Sequence, residues 1–444
     1  MFRKLVIALA VPALASAQII PQMPQAQKQG SADSTFRPIT LADALRLAKE
    51  NNVSNITASN SVRSSNLQVR AARAQLYPSV SASAGQGISA GDRVGQSGTL
   101  VPYTPAWTYQ TGLTVNQTLF DAGKSFADVR ARKADVASAE ANQVSQEFQV
   151  ALNVKQQYNA VLAAKELETA ARAQLDLANQ QLQVSIARVN AGAANVSDSL
   201  NNVVAVGQAQ LNILNAQQSE RAAAAALTRF VGTPYLVTAV SSDTIELPRA
   251  QIDSATLMQW ALDGPTIRAS QATLASAQAA QKSAKTSYFP TISARGTYSG
   301  SGTGKYGFGN DPFPYSRGLN LNLSYPIFNG YSRENQVAIA QINEDNAAAQ
   351  IRDQRLAAQQ TIITQIGLLR NDEQKLIVNQ INVRASEEAL RVNQQRYALG
   401  AGTLIDVLTS QSNLITARQQ LIQTRLDYRN AKAQIEALIG RDLP

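Results

Sequence analysis

The chain of 444 residues holds no cysteine and no histidine, carries a net charge of +9, and is only 16% charged residues. Those absences exclude a disulfide framework, a thiol nucleophile, an imidazole base, a Ser-His-Asp triad and the common zinc sites, leaving only carboxylate chemistry open to an enzyme. Ala, Gln, Asn and Ser fill the charge deficit, as suits a large assembly or a membrane-associated protein, and the scattered basic residues do not make a nucleic-acid surface.

Residues 1–17 have the form of a secretory signal peptide. Arg3 and Lys4 precede an apolar run over 5–14, and Ala15-Ser16-Ala17 follows as the cleavage site, with cutting expected after Ala17. The run is half the ~20 residues a helical membrane span requires, so a signal is favoured over an anchor. Residues 18–38 form a Gln/Pro-rich lead expected to be disordered.

A first structural unit is expected over 39–232. It opens with a helical stretch over 40–76, with Thr40 as N-cap and a break at Asn51-Asn52. The period then falls to two: Val80, Ala82 and Ala84 alternate with serines, and Leu113, Val115 and Leu119 share one face of a second strand. The Gly/Pro/Ser-rich residues 85–105 between them are expected to be a loop. Asp121 is the expected N-cap of a very long helix, since no proline interrupts 121–190. Its heptad stripe runs Val154, Val161, Glu168, Leu175, Leu182 and Val189, with one polar lapse at Glu168. Gly192 marks a turn into a returning helix that closes near Gly232, and 233–252 is a linker.

The same order returns over 253–440. Asp253 is the expected cap, Asp263-Gly264-Pro265 the break, and Leu319, Leu321, Leu323, Tyr325 and Ile327 alternate with Asn320, Asn322, Ser324 and Pro326. A second loop is expected over 299–315. Asn329 opens a second proline-free helix whose heptads are Ile362, Leu369, Leu376, Val383, Leu390 and Tyr397. After Gly400 comes Val407, Leu414, Leu421, Tyr428 and Ile435, and 441–444 is a short tail. Arg188–Gly192 matches Arg396–Gly400, Asp198 matches Asp406, and Phe230-Val231-Gly232 matches Leu438-Ile439-Gly440, all at a constant spacing of 208. The chain is two copies of one unit.

A seven-residue period predicts antiparallel helices supercoiled left-handedly, and ~65 residues at ~1.5 Å each make rods of about 100 Å. Downstream of the signal no apolar run is long enough for a membrane helix, so membrane contact must use strands. Four strands cannot close a barrel, and hydrocarbon does not tolerate open sheet edges, so other copies of the chain are expected to complete it. An exported adhesin-type coiled coil would need no barrel. It is the alternative.

Tyr77-Pro78 with its Ser/Ala alternation, Leu119-Phe120-Asp121-Ala122-Gly123, and Arg396-Tyr397-x-x-Gly400 followed by Asp406-Val407-Leu408-x-x-Gln411 resemble signatures of the outer-membrane efflux protein family, the TolC-like channels. The resemblance covers nearly the whole chain after the signal. It implies a mainly α protein with membrane β structure: a long antiparallel coiled-coil α-barrel continuous with a 12-stranded trimeric β-barrel, four strands per chain. It further implies an outer-membrane duct with a periplasmic extension, no enzyme, no cofactor and no metal. The implied partners are a homotrimer, a periplasmic adaptor, an inner-membrane pump or type I secretion exporter, and outer-membrane lipid, with no nucleic acid. By the same resemblance Tyr397 and Asp406, with Asp198 in the first copy, are candidates for a periplasmic gate. Gly402 and Thr409 stand where the family pattern has an arginine and a second aspartate, which leaves Ile405 as a candidate apolar ring.

Each candidate also has a plainer reading. Asp198 and Asp406 suit helix capping, Tyr397 continues the apolar stripe, and Gly192 and Gly400 suit left-handed turns. The substrate is not legible, because a wide duct takes its specificity from the pump behind it. Intact-mass measurement should find a mature chain beginning at Gln18; uncleaved protein in the inner membrane would contradict the signal.

Overall fold

The computed structural model describes residues 36–94, 98–240, 253–304 and 314–443. The expected signal, its cleavage after Ala17, nearly all of the lead and most of the linker lie outside the described residues.

Two rods dominate. Helix α3 (Lys124–Asn190) and helix α7 (Ser332–Ala398) are both 67 residues long, about 100 Å each at ~1.5 Å per residue. Neither contains a proline, and each is paired with a 36-residue helix running back along it, α4 (Val196–Val231) and α8 (Leu404–Ile439). Most helical stability in water comes from tertiary packing of an apolar face, and the heptad stripe supplies it. Ile362, Leu369, Leu376, Leu390 and Tyr397 are buried on α7 against Val407, Leu414, Tyr428 and Ile435 of α8. On α3, Val154, Tyr158 and Val161 pack with Leu227 and Val231 of α4.

Shorter helices flank the rods: α1 (Leu41–Asn51) and α2 (Val53–Ala74) in the first half, α5 (Ser254–Leu262) and α6 (Pro265–Lys285) in the second. Thr40 caps α1 by accepting the Asp43 N–H at 3.1 Å. Both breaks have one purpose. At Asn52 the chain is extended between α1 and α2, and its side-chain amide donates to the Phe230 carbonyl at 2.8 Å. Gly232, at φ +75°, sits so close that a Cβ there would lie 2.8 Å from the Asn51 carbonyl oxygen. In the second half Gly440, at φ +68°, lies against Pro265, the first residue of α6. Each break receives the left-handed end of a returning helix.

Four strands form one antiparallel sheet in the order β2 (Ser79–Val94), β3 (Leu100–Phe120), β5 (Thr291–Gly304), β6 (Tyr315–Ser324). A separate parallel pair, β1 (Arg37–Ile39) with β4 (Val237–Ala239), packs on the first core, with Val237 and Ala239 fully buried. Nothing in the alternation of so short a segment signals it.

Three local expectations change. Residues 85–94 and 100–105 are strand rather than loop, as are 299–304, because a paired ladder offsets the weak strand preference of their glycines. Tyr325 and Ile327 lie beyond the end of β6. The rods begin at Lys124 and Ser332, three residues past Asp121 and Asn329, after left-handed residues at 122–123 and 330–331. Asp121 still serves the helix end: its carboxylate accepts the Gly123 N–H at 3.0 Å and the Ser125 N–H at 2.8 Å.

Replacing Gly232 by Ala should lower stability by about 2 kcal/mol, the sum of left-handed strain and the contact with Asn51. An unchanged urea midpoint would show that the α4 end does not lock the α1–α2 break.

Candidate functional site

The sheet register sorts side chains onto two unlike faces. Along one face run Val80, Ala82 and Ala84 of β2, Leu113 and Val115 of β3, Ile292 and Ala294 of β5, and Leu319, Leu321 and Leu323 of β6. A register shift between Thr118 and Phe120 brings Phe120 opposite Ile292, in the place that simple alternation assigns to Leu119. Leu319, Leu321 and Leu323 are 74%, 69% and 68% exposed, although apolar. The opposite face is polar: Ser79, Asn116, Arg295 and Asn320 share one rung, and Ser81, Thr114 and Thr297 the next.

Aromatic rings bound the apolar face at both ends. Near the helices, Phe328 meets Tyr331 edge-on at 5.5 Å, and Arg333 lies 4.4 Å above the Tyr288 ring. At the far end Tyr298 stacks on Tyr315 at 5.1 Å, with Arg317 5.6 Å from the Tyr298 ring. The rise from Phe289 to Tyr298 is about 30 Å along an extended chain, or about 23 Å of height at a ~40° tilt. That matches the ~25 Å lipid-facing band between the aromatic girdles of outer-membrane barrels. No described helix is long and apolar enough to cross a membrane.

The helical tips, at the other end of the rods, hold the remaining candidates. Gly192 (φ +71°) and Gly400 (φ +75°) end α3 and α7 in the same way. Ala193 N–H reaches back to the Arg188 carbonyl and Ala401 N–H to that of Arg396, both at 2.8 Å, closing matched left-handed caps. The two aspartates that follow are used differently. Asp406 forms a capping box with Thr403: its carboxylate accepts the Thr403 N–H at 3.1 Å and hydroxyl at 2.8 Å, while its own N–H donates to Thr403 Oγ1 at 3.2 Å. In the first copy Asn195 occupies the Thr403 position and caps α4 through the Ser197 N–H at 3.2 Å. Asp198 is thereby free to accept the Tyr397 hydroxyl at 3.3 Å.

Tyr397 is only 3% exposed, so it is both core and hydrogen-bond donor. Burial, reinforced by the Asp198 charge, raises its phenol above the ordinary value of 10.0. Arg188 completes the cluster. Its guanidinium lies 4.3 Å from the Tyr397 ring centre, donates to the Tyr397 carbonyl, and reaches the Ala193 carbonyl at 3.2 Å. A residue from the first copy thus clamps the tip of the second. The repeated Arg-x-x-x-Gly motif contains Arg188 but carries no sign of this role, since Arg396 reaches only its own turn, at Ala401. Ile405 is 74% exposed beside the α8 cap and takes no part in the cluster. Gly402 packs on Arg396, where a Cβ would lie 3.1 Å from its Cβ. No group of His, Cys, Asp or Glu suited to a metal ion occurs among the described residues.

The Thr403 hydroxyl and N–H hold the Asp406 carboxyl below its ordinary value of 3.8. A carboxylate depressed in the folded state stabilises the fold above its unfolded value, and that stability is lost as pH falls through the folded value. Acidification through pH 4 and below should therefore loosen the start of α8, read as a lower protection of the Asp406 amide relative to its intrinsic exchange rate at each pH. Thr403→Ala should lower that protection already at neutral pH.

The chain matches the model of the outer membrane efflux protein family over residues 44–233 and 258–441. Protein CyaE of Bordetella pertussis is 26% identical over 400 residues, covering 85% of this chain and 79% of its own length. The pyoverdine export outer membrane protein OpmQ of Pseudomonas aeruginosa is 26% identical over 337 residues, covering 75% and 69%. Among solved structures, CusC aligns with a TM-score of 0.75 at 20% identity, over 91% of this chain and 93% of that one.

Proposed function

This chain belongs to the outer membrane efflux protein family, whose members are channels and not enzymes, and from that premise we propose that three copies close one duct, gated at its helical tips. The observation that carries the reading is the sheet. β2 and β6 are both open edges, flanking a surface that is apolar on one face and polar on the other. Lipid offers no partner for an open edge, so β6 of one copy pairs with β2 of the next, and three copies give twelve strands around a polar lumen. The rods then extend about 100 Å into the periplasm as a second, helical barrel.

The signal is removed after Ala17, and export is passive. At the tips, Leu399 and Ile405 are 85% and 74% exposed, an apolar rim fitted to a periplasmic adaptor that joins the duct to an inner-membrane pump or a type I secretion exporter. Asp198, Tyr397 and Arg188 tie the two helical hairpins together and hold the mouth narrow. Threefold symmetry makes rings of Asp198 and Asp406, and close like charges attract cations.

Two experiments follow. A charge facing lipid at mid-membrane costs about 2–4 kcal/mol per site, and a trimer repeats each site three times. Leu321→Arg should abolish the dissociation-resistant trimer, whereas Asn320→Arg, on the polar face, should assemble and change conductance. Normal assembly of Leu321→Arg would refute the face assignment. At the mouth, Asp406→Asn should weaken block by divalent cations added from the periplasmic side, and Asp198→Asn should add to that effect. If block is unchanged while the melting temperature falls, Asp406 serves only as the cap of α8 and Asp198 only as the partner of Tyr397, and the constriction lies with Ile405.

A further inference from the structure

The polar face of the sheet carries a charge that the channel reading does not use. Arg295 lies on β5, opposite Asn116 of β3 and Asn320 of β6, and Asn116 in turn pairs with Ser79 of β2. The rung therefore reads hydroxyl, amide, guanidinium, amide. The neighbouring rungs on this face hold Ser81, Thr114 and Thr297 on one side and Thr118, Ser293 and Asn322 on the other. Among residues of the four-stranded sheet whose side chains are described, only Arg295 and Arg317 are charged, and Arg317 lies on the opposite, apolar face beside Tyr298. Arg295 is exposed, and no carboxylate pairs with it among the described residues. Arg333, at the base of the same sheet, shows the contrast: it is held by Glu334 at 2.6 Å.

We infer that Arg295 forms an anion-attracting belt inside the barrel, favouring passage of solutes that carry carboxylate, sulfate or phosphate groups. The inference rests on the three-copy channel reading, which turns one guanidinium into three at one level. Twelve strands spaced ~4.8 Å apart and tilted ~40° give a backbone diameter of about 24 Å. Arginines reaching about 6 Å inward leave a clear passage of about 12 Å, with the three charges about 10 Å apart. That separation is close to the Debye length of ~10 Å at 0.1 M salt, so the three fields overlap across the lumen at that ionic strength and are screened apart near 1 M. With no counter-charge on this face among the residues whose side chains are described, the excess falls on mobile anions. The belt lies three residues above the Ile292–Phe120 pair, at the helical end of the barrel, so solutes leaving the helical tunnel meet it first.

The test is the reversal potential of the purified trimer in planar bilayers of neutral phosphatidylcholine, under a KCl gradient held at or below ~0.1 M. Arg295→Gln should lower the chloride-to-potassium permeability ratio about two- to fivefold, and the difference from wild type should vanish near 1 M KCl. Arg295→Lys keeps the charge and should keep the ratio. Asn320→Glu places a counter-charge on the same rung and should lower the ratio as Arg295→Gln does, so the result does not depend on assembly of one variant. Pores whose ratio is unaltered in either charge-removing variant overturn the belt and leave the channel standing. Wild-type protein that forms no pores overturns the channel reading, and the belt with it.

Discussion

The backbone N–H and C=O groups that point outward from the edge strands β2 and β6 have no partner within the described sheet, and hydrocarbon supplies none. Everything else in the molecule is arranged around that constraint. The apolar columns of the sheet are useless to a lone chain in water, where Leu319, Leu321 and Leu323 stand exposed. They become an asset once the edges are shared and the face meets lipid. The rods leave the base of the same strands, so whatever closes the sheet also fixes where the rods stand. In the proposed three-copy duct, Tyr397 and Asp198 at the helical tips would acquire symmetry partners for the same reason.

The join between sheet and rod is correspondingly stiff. Left-handed residues at 122–123 and 330–331 turn each strand into its helix, and Asp121 satisfies N–H groups that the start of α3 leaves open. Farther down, the breaks at Asn52 and Gly264 accept the ends of α4 and α8. Lys155 of α3 bonds Glu436 and Asp442, both at 2.7 Å, so the two halves are tied across the middle of the rods as well as along their length.

The two copies share geometry and diverge in chemistry. Asp198 and Asp406 occupy matching positions, yet one accepts a tyrosine hydroxyl and the other closes its own helix. Two differences decide which: Asn195 stands where the second copy has Thr403, and Val189 stands where it has Tyr397. Glu168 stands where the second copy has the buried Leu376. Its carboxylate is taken up by Arg172 at 2.7 Å and by Gln217 of α4 at 3.2 Å, so the lapse in the stripe is a satisfied polar contact across the α3–α4 seam. Duplication supplied the scaffold, and substitution at matched positions made the two halves unequal.

Much of the architecture was legible in the residues alone because it rests on periodicity. A period of seven over proline-free stretches means paired helices of that length, and a period of two with serines opposite means strands with unlike faces. The spacing of 208 revealed the repeat, and the turn glycines lay where the heptads stopped. What periodicity does not encode is pairing between distant segments. The true ends of the strands depended on ladder partners, which turned Gly-rich residues into strand. The clamp of Arg188 on Tyr397 joins residues from different copies, and the place of Arg295 on an otherwise uncharged rung emerged only when register lined up four strands. Local pattern follows from where each side chain must point along its own element. Contacts between elements follow from how those elements dock, and only the tertiary structure decides that.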